Sequence, residues 1–138
     1  MNKKRALLIV DHGSRKSEAN DTLPEIARMV RQMSEFEIVC YAHMELAEPS
    51  IQQGFDVCVA EGAEEVIVHP YFLSPGRHST LDIPRMVAEA AAKHPNIVYS
   101  VTEPLGLHSK IGEIILERAR ENINKSVTGR PEFSVPDG

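Results

Sequence analysis

Ala6-Leu7-Leu8-Ile9-Val10-Asp11-His12-Gly13-Ser14-Arg15 opens with five consecutive apolar residues and ends in a small, polar loop. An unbroken apolar run of strand length suits a strand covered on both faces, which places it centrally in a parallel sheet. Three further runs, Phe36 to Ala42, Val66 to Val68 with its flanks, and Ile97 to Val101, follow at intervals near thirty residues. That interval holds a strand, a helix and two loops. The segments between carry helical apolar spacing: Ile26, Val30, Met33; Ile51, Phe55, Cys58, Val59; Ile83, Val87, Ala90, Ala91; Ile111, Ile114, Ile115, Ala119. Ser50-Ile51-Gln52-Gln53 has the form of a capping box, and Pro24 and Pro84 belong near helix starts. Four βα units predict an α/β fold: a single three-layer domain with a four-stranded parallel sheet, order 2-1-3-4, and ligands beyond the carboxyl ends of strands 1 and 3. The domain is expected over 1–125, with 126–138 as a disordered tail.

Composition narrows the function. The 138 residues are 42% apolar and 25% charged, which suits one folded domain. Acidic residues outnumber basic ones, 20 to 15, for a net charge of -5, which argues against a general nucleic-acid binder. No apolar run approaches the ~20 residues of a membrane span, and the run after Met1-Asn2-Lys3-Lys4-Arg5 is too short for a signal-peptide core. Cys40 and Cys58 lie in apolar stretches outside any CxxC and suit buried, reduced thiols. A cytoplasmic protein, with no nucleic-acid or membrane partner, is expected.

Three strand-end loops share one edge of this sheet. They are Asp11 to Lys16, Ala42 to Ser50, and His69 to Ser79. His12 precedes a glycine, where backbone approaches a ligand closely, and imidazole suits divalent metals and proton transfer. His78 precedes a helix start, which disfavours the imidazolium and favours the metal-binding neutral form. His43 and Glu45 are two apart and share a face if the second strand extends that far, so Glu45 can serve as ligand or proton acceptor. Glu48, beside Pro49, competes with a helix-dipole role. His69 is equally suited to structure and site, His94 suits a helix terminus, and His108 either lines the site or caps the last helix. There is no HExxH, GxSxG, P-loop or GxGxxG.

In order and spacing, Asp11-His12-Gly13-Ser14-Arg15, then Ala42-His43-Met44-Glu45-Leu46-Ala47-Glu48-Pro49-Ser50-Ile51, then Pro70-Tyr71-Phe72-Leu73-Ser74-Pro75-Gly76-Arg77-His78 form a set. Asp82-Ile83-Pro84 and Pro104-Leu105-Gly106 complete it. From about residue 5 to 120 the chain resembles the small, single-domain class II sirohydrochlorin chelatases, of the cobaltochelatase and ferrochelatase kinds.

The resemblance implies insertion of a divalent metal into sirohydrochlorin, for siroheme or cobalamin. It implies that His12 and His78 handle the metal with Glu45 as carboxylate partner. The loop residues Ser14, Arg15, His43, Gly76 and Arg77 are then expected to bind the substrate, and Tyr71 and Phe72, otherwise suited to core packing, to lie against the macrocycle. Iron is favoured, with Co2+ and Ni2+ as alternatives; the metal is a substrate and no permanent cofactor is expected. The Ala-His-Met-Glu segment looks closest to the plant type, but the extra C-terminal cysteines of its iron–sulfur cluster are absent. A short chelatase is expected as a homodimer. A non-catalytic tetrapyrrole or metal carrier using the same histidines is the alternative. A receiver-like module is disfavoured, because the Pro70 to His78 loop has no Asp.

A polyanionic tetrapyrrole sits uneasily with the net charge of -5 until the charges are located. Arg15, Lys16 and Arg77 fall in the strand-end loops, with Arg85 in the next helix. Glu61, Glu64, Glu65, Glu113, Glu117 and Glu121 fall elsewhere, so a locally basic mouth is expected.

Overall fold

The computed structural model describes residues 3–74, 76 and 81–125, the last stretch without the side chain of Asn124. Arg77, His78 and the tail expected at 126–138 lie outside the described residues. The chain divides into two compact units, Met1–Gly106 and Leu107–Gly138.

In the first unit the elements run β1 (Arg5–Asp11), α1 (Ser17–Asn20), α2 (Thr22–Met33), β2 (Ile38–His43), α3 (Ile51–Ala60), β3 (Glu65–Pro70), α4 (Ile83–Ala91) and β4 (Val98–Val101). The four strands form one parallel sheet in the order β2-β1-β3-β4. This is the order expected from the thirty-residue rhythm and right-handed crossovers.

The apolar run of β1 is continuous because both faces are covered. Ala6, Leu8 and Val10 join Ile38, Ala42, Val66 and Val68 beneath Ile51, Phe55 and Cys58 of α3 and Ile83, Val87 and Ala90 of α4. Leu7 and Ile9 face the other way, against Leu23, Ile26, Ala27 and Val30 of α2. Gly54 lets α3 lie close on the sheet: a Cβ there would stand 2.9 Å from Leu8 Cδ1 and 3.0 Å from Ala42 Cβ. The capping box of α3 forms in full, with Ser50 Oγ accepting from the Gln53 amide at 3.1 Å and Gln53 Oε1 accepting from the Ser50 amide at 2.8 Å.

One helical face differs from expectation. Met33 is 78% exposed, and the residues α2 buries are Leu23 and Ala27. Ile26 and Val30 do pack on the sheet, and Met33 keeps their face but falls at the last residue of α2, past the sheet's cover.

The second unit is described through α5 (Ser109–Lys125). His108 Nδ1 accepts from the Lys110 amide at 3.1 Å, the helix-terminus role its position suggested. Ile114, Ile115, Leu116 and Ile123 of this helix are exposed.

Candidate functional site

The loop after β1 is held by its own polar groups. Asn20 of α1 hooks Ser14 twice: its Oδ1 accepts from the Ser14 amide at 2.9 Å, and its Nδ2 donates to the Ser14 carbonyl at 2.7 Å. Ser14 Oγ accepts from the Lys16 amide at 3.0 Å. Sequence reading passed over Asn20. Its signal, an Asn six residues beyond a loop serine, is weak on its own.

The loop after β2 is laid directly against this one. The Met44 amide donates to the Asp11 carbonyl at 2.8 Å and the Glu45 amide to the His12 carbonyl at 3.1 Å. Gly13 has φ 89°, and a Cβ on it would fall 1.8 Å from the Glu45 carbonyl oxygen. Only glycine satisfies both the backbone angle and the approach. Leu46, at φ 71°, turns the chain away beyond Glu45, and the Glu48–Pro49 peptide is cis.

His43 and Glu45 do not share a face. The strand ends at His43, whose side chain is 2% exposed, and Glu45 lies beyond it on the turning segment and is exposed. His43 Nδ1 stands 2.6 Å from Asp11 Oδ1, across the paired strand ends. Expected to bind substrate, His43 instead lies buried beneath the loops. The chain's departure from strand geometry at Met44 causes the difference.

Above this floor is an open cleft of about 600 Å³ lined by Asp11, His12, Gly13, Ser14, Ala19, Asn20, Tyr71, Phe72, Leu73, Ser74 and Gly76. It lies at the carboxyl ends of β1 and β3, the switch point of the sheet. His12 is exposed there, and its ring centroid is 4.6 Å from that of Phe72. The Tyr71 amide bonds the Val10 carbonyl at 2.7 Å and the Leu105 amide bonds the Phe72 carbonyl at 3.0 Å, which fixes the far wall. His69 is set back from the cleft, with Nδ1 2.9 Å from Thr102 Oγ1, and burial pushes its pKa below the ordinary histidine value. His94 joins α4 to α3, with Nε2 2.7 Å from Asp56 Oδ1 and its ring stacked 5.8 Å from Phe55.

Charges of both signs stand at both ends of the strands, with Glu18 and Glu45 exposed at the carboxyl end. Glu64 and Glu65 lie at the amino ends, where Glu64 accepts from the Lys4 amide at 2.9 Å and Glu65 pairs with Arg5 at 2.8 Å. Arg15 and Lys16 are exposed at the carboxyl end beside the cleft. Arg85, expected to add to the basic mouth, is instead paired with Asp82 at 3.4 Å and Glu89 at 3.6 Å. Among the described residues no three His, Cys, Asp or Glu side chains are grouped to hold a metal ion.

An imidazole on an aromatic wall, at the switch point of a 2-1-3-4 parallel sheet, defines a chelatase-like domain. The family model described as CbiX matches residues 6–122, and the chain belongs to that family. It is 46% identical over 112 residues to the chloroplastic sirohydrochlorin ferrochelatase of Arabidopsis thaliana, covering 81% of this chain and 50% of that one. It is 31% identical over 142 residues to the sirohydrochlorin cobaltochelatase of Methanopyrus kandleri, covering 87% and 98%. Among solved structures it is similar to SirB from Bacillus subtilis with Fe3+, with a TM-score of 0.80 and 27% identity, covering 93% of this chain and 48% of that one. The chain thus spans about half the length of the plant relative and of SirB.

Proposed function

We propose that this protein is a sirohydrochlorin chelatase, a lyase that inserts a divalent metal, Fe2+ by preference or Co2+, into sirohydrochlorin on the way to siroheme or cobalamin. The observation that carries this reading is His12, exposed at the carboxyl end of β1 in a cleft walled by Tyr71 and Phe72, in a chain of the CbiX family. The names of its relatives divide between iron and cobalt, and imidazole and carboxylate suit both ions and Ni2+.

Insertion needs two pyrrole N–H protons to leave and the metal to shed water. In this reading His12 and His78 hold the incoming ion, Glu45 steadies it or accepts protons, and the two pyrrole protons pass to Glu45 and to an imidazole that has released the ion. The metal is a substrate, so the grip must be loose enough to release it into the macrocycle. Tyr71 and Phe72 offer apolar surface to the ring, while Ser14, Arg15, Gly76 and Arg77 serve its polar rim. Residues 1–125 form the chelatase domain.

The working unit is a homodimer. Two observations support it: the chain matches half of the plant relative but 98% of the Methanopyrus one, and α5 exposes Ile114, Ile115, Leu116 and Ile123. A reducing compartment, the cytoplasm, suits two free cysteines. Among the described residues no helix is long and apolar enough to cross a membrane.

The test is anaerobic incubation of purified protein with sirohydrochlorin and Fe2+, Co2+ or Ni2+, followed by absorbance. Many turnovers per protomer are expected, fastest with Fe2+. Binding of one macrocycle per protomer with no turnover would instead identify a carrier.

A further inference from the structure

We propose that Asp11 and His43 are positioning residues, which together set the separation of His12 from Glu45. The inference rests on the chelatase reading, since it gives those two residues their roles.

His43 is the only polar or charged residue fully buried among the described residues. An imidazole in an apolar interior is unfavourable unless its ring nitrogens are bonded, and a hydrophobic side chain of similar size would fill the space at lower cost. Its partner is a single carboxylate at 2.6 Å, and Asp11 also lines the cleft. The Tyr41 ring and the imidazole meet in a T-shaped contact, with centroids 6.0 Å apart. The sheet does not need this bond, because β1 and β2 are already paired from Ala6–Ile38 to Asp11–His43.

Its location gives it another use. Asp11 directly precedes His12, and His43 stands two residues before Glu45. Beyond the pair the two chains leave strand geometry. From there the Met44 and Glu45 amides, bonded to the Asp11 and His12 carbonyls, continue the register between them. The side-chain bond clamps the strands at the last paired position, so the two loops run on together from a fixed point. A displacement of about 1 Å between reacting groups costs on the order of 100-fold in rate, so such a clamp acts on turnover more than on binding. The Asp11–His43 bond is a fixed strut for two groups that it does not itself replace.

The test compares wild type with His43→Phe, His43→Asn, Asp11→Asn and the Asp11→Asn/His43→Phe double variant. His43→Phe keeps a planar ring, somewhat larger, and loses the donor; His43→Asn retains an amide nitrogen near the place of Nδ1; Asp11→Asn retains an acceptor oxygen. Turnover of sirohydrochlorin with Co2+, affinity for Co2+ alone and Tm are measured on each. His43→Phe is expected to lower kcat by roughly 20-fold or more with KM within about threefold, and to weaken Co2+ affinity by about tenfold. His43→Asn and Asp11→Asn are expected to recover most of kcat, to within about fivefold of wild type, and the double variant to be no worse than His43→Phe.

Retention of kcat within about twofold in His43→Phe, or losses that multiply in the double variant, would overturn the proposal. If His43→Phe does not fold, His43→Asn and Asp11→Asn decide: kcat below about a twentieth of wild type in both, at unchanged Tm, overturns it. Wild type that binds Co2+ but never turns over sinks the chelatase reading alone, and Co2+ affinity in the same variants then decides this one. Wild type that does neither overturns both.

Discussion

Gly13 carries the tightest requirement of any residue at the cleft. With φ at 89° and the Glu45 carbonyl where a Cβ would stand, Gly13→Ala must displace one loop from the other. The expected result is a stability loss of about 2–4 kcal/mol by denaturant unfolding, with turnover down more than about tenfold because His12 and Glu45 separate. The glycine was legible as a point of close approach; what it approaches was not, because the Glu45 carbonyl is brought there by a second loop thirty residues on. His69 gives a pH signature. Burial lowers its folded pKa below the ordinary value of about 6.5, so the fold favours the neutral ring. Its contribution is fully present above about pH 6.5 and is lost as pH falls through the folded value. Unfolding midpoints across that range should flatten in His69→Gln, and an NMR titration of His69 at or above the free value would contradict this.

At the scale of elements, local chemistry was readable wherever it is local. The capping box at Ser50 and Gln53, the prolines at helix starts and the four strands rest on spacings within a few residues of each other. Ser50→Ala should cost about 1 kcal/mol, seen as a lowered Tm with the cleft's ligand affinity unchanged. Termini decided the misreadings. His43 and Glu45 have the i, i+2 spacing of one strand face, but β2 ends at His43 and Leu46 turns the chain, so one is buried and the other exposed. Met33 keeps helical spacing with Ile26 and Val30, yet falls at the last position of α2, beyond the sheet's cover. Periodicity states which residues could share a face, while tertiary contact settles where that face stops.

For the whole molecule, the net charge of -5 does not say which charges stand at the cleft mouth. Glu65 pairs with Arg5 at the amino end of the sheet, and Arg15 and Lys16 stand exposed at the carboxyl end beside exposed Glu18 and Glu45. A small polyanion meets the local field at that mouth, so its binding should weaken with salt, and Arg15→Ala/Lys16→Ala should remove most of that salt dependence. The fold class was legible from four apolar runs because each βα unit is a local pattern repeated, whereas the homodimer was expected through the family resemblance alone, because no local pattern marks a subunit face. The exposed apolar residues of α5 predict a dimer in sedimentation equilibrium, and Ile115→Glu should shift it toward monomer. The central claim, that His12 delivers metal to a tetrapyrrole, is tested most directly by steady-state metallation of sirohydrochlorin with Fe2+ and Co2+ by wild type and His12→Ala at matched folding. The account predicts many turnovers for wild type and a loss of about 100-fold or more in kcat for His12→Ala. Equal turnover by the two proteins would contradict it.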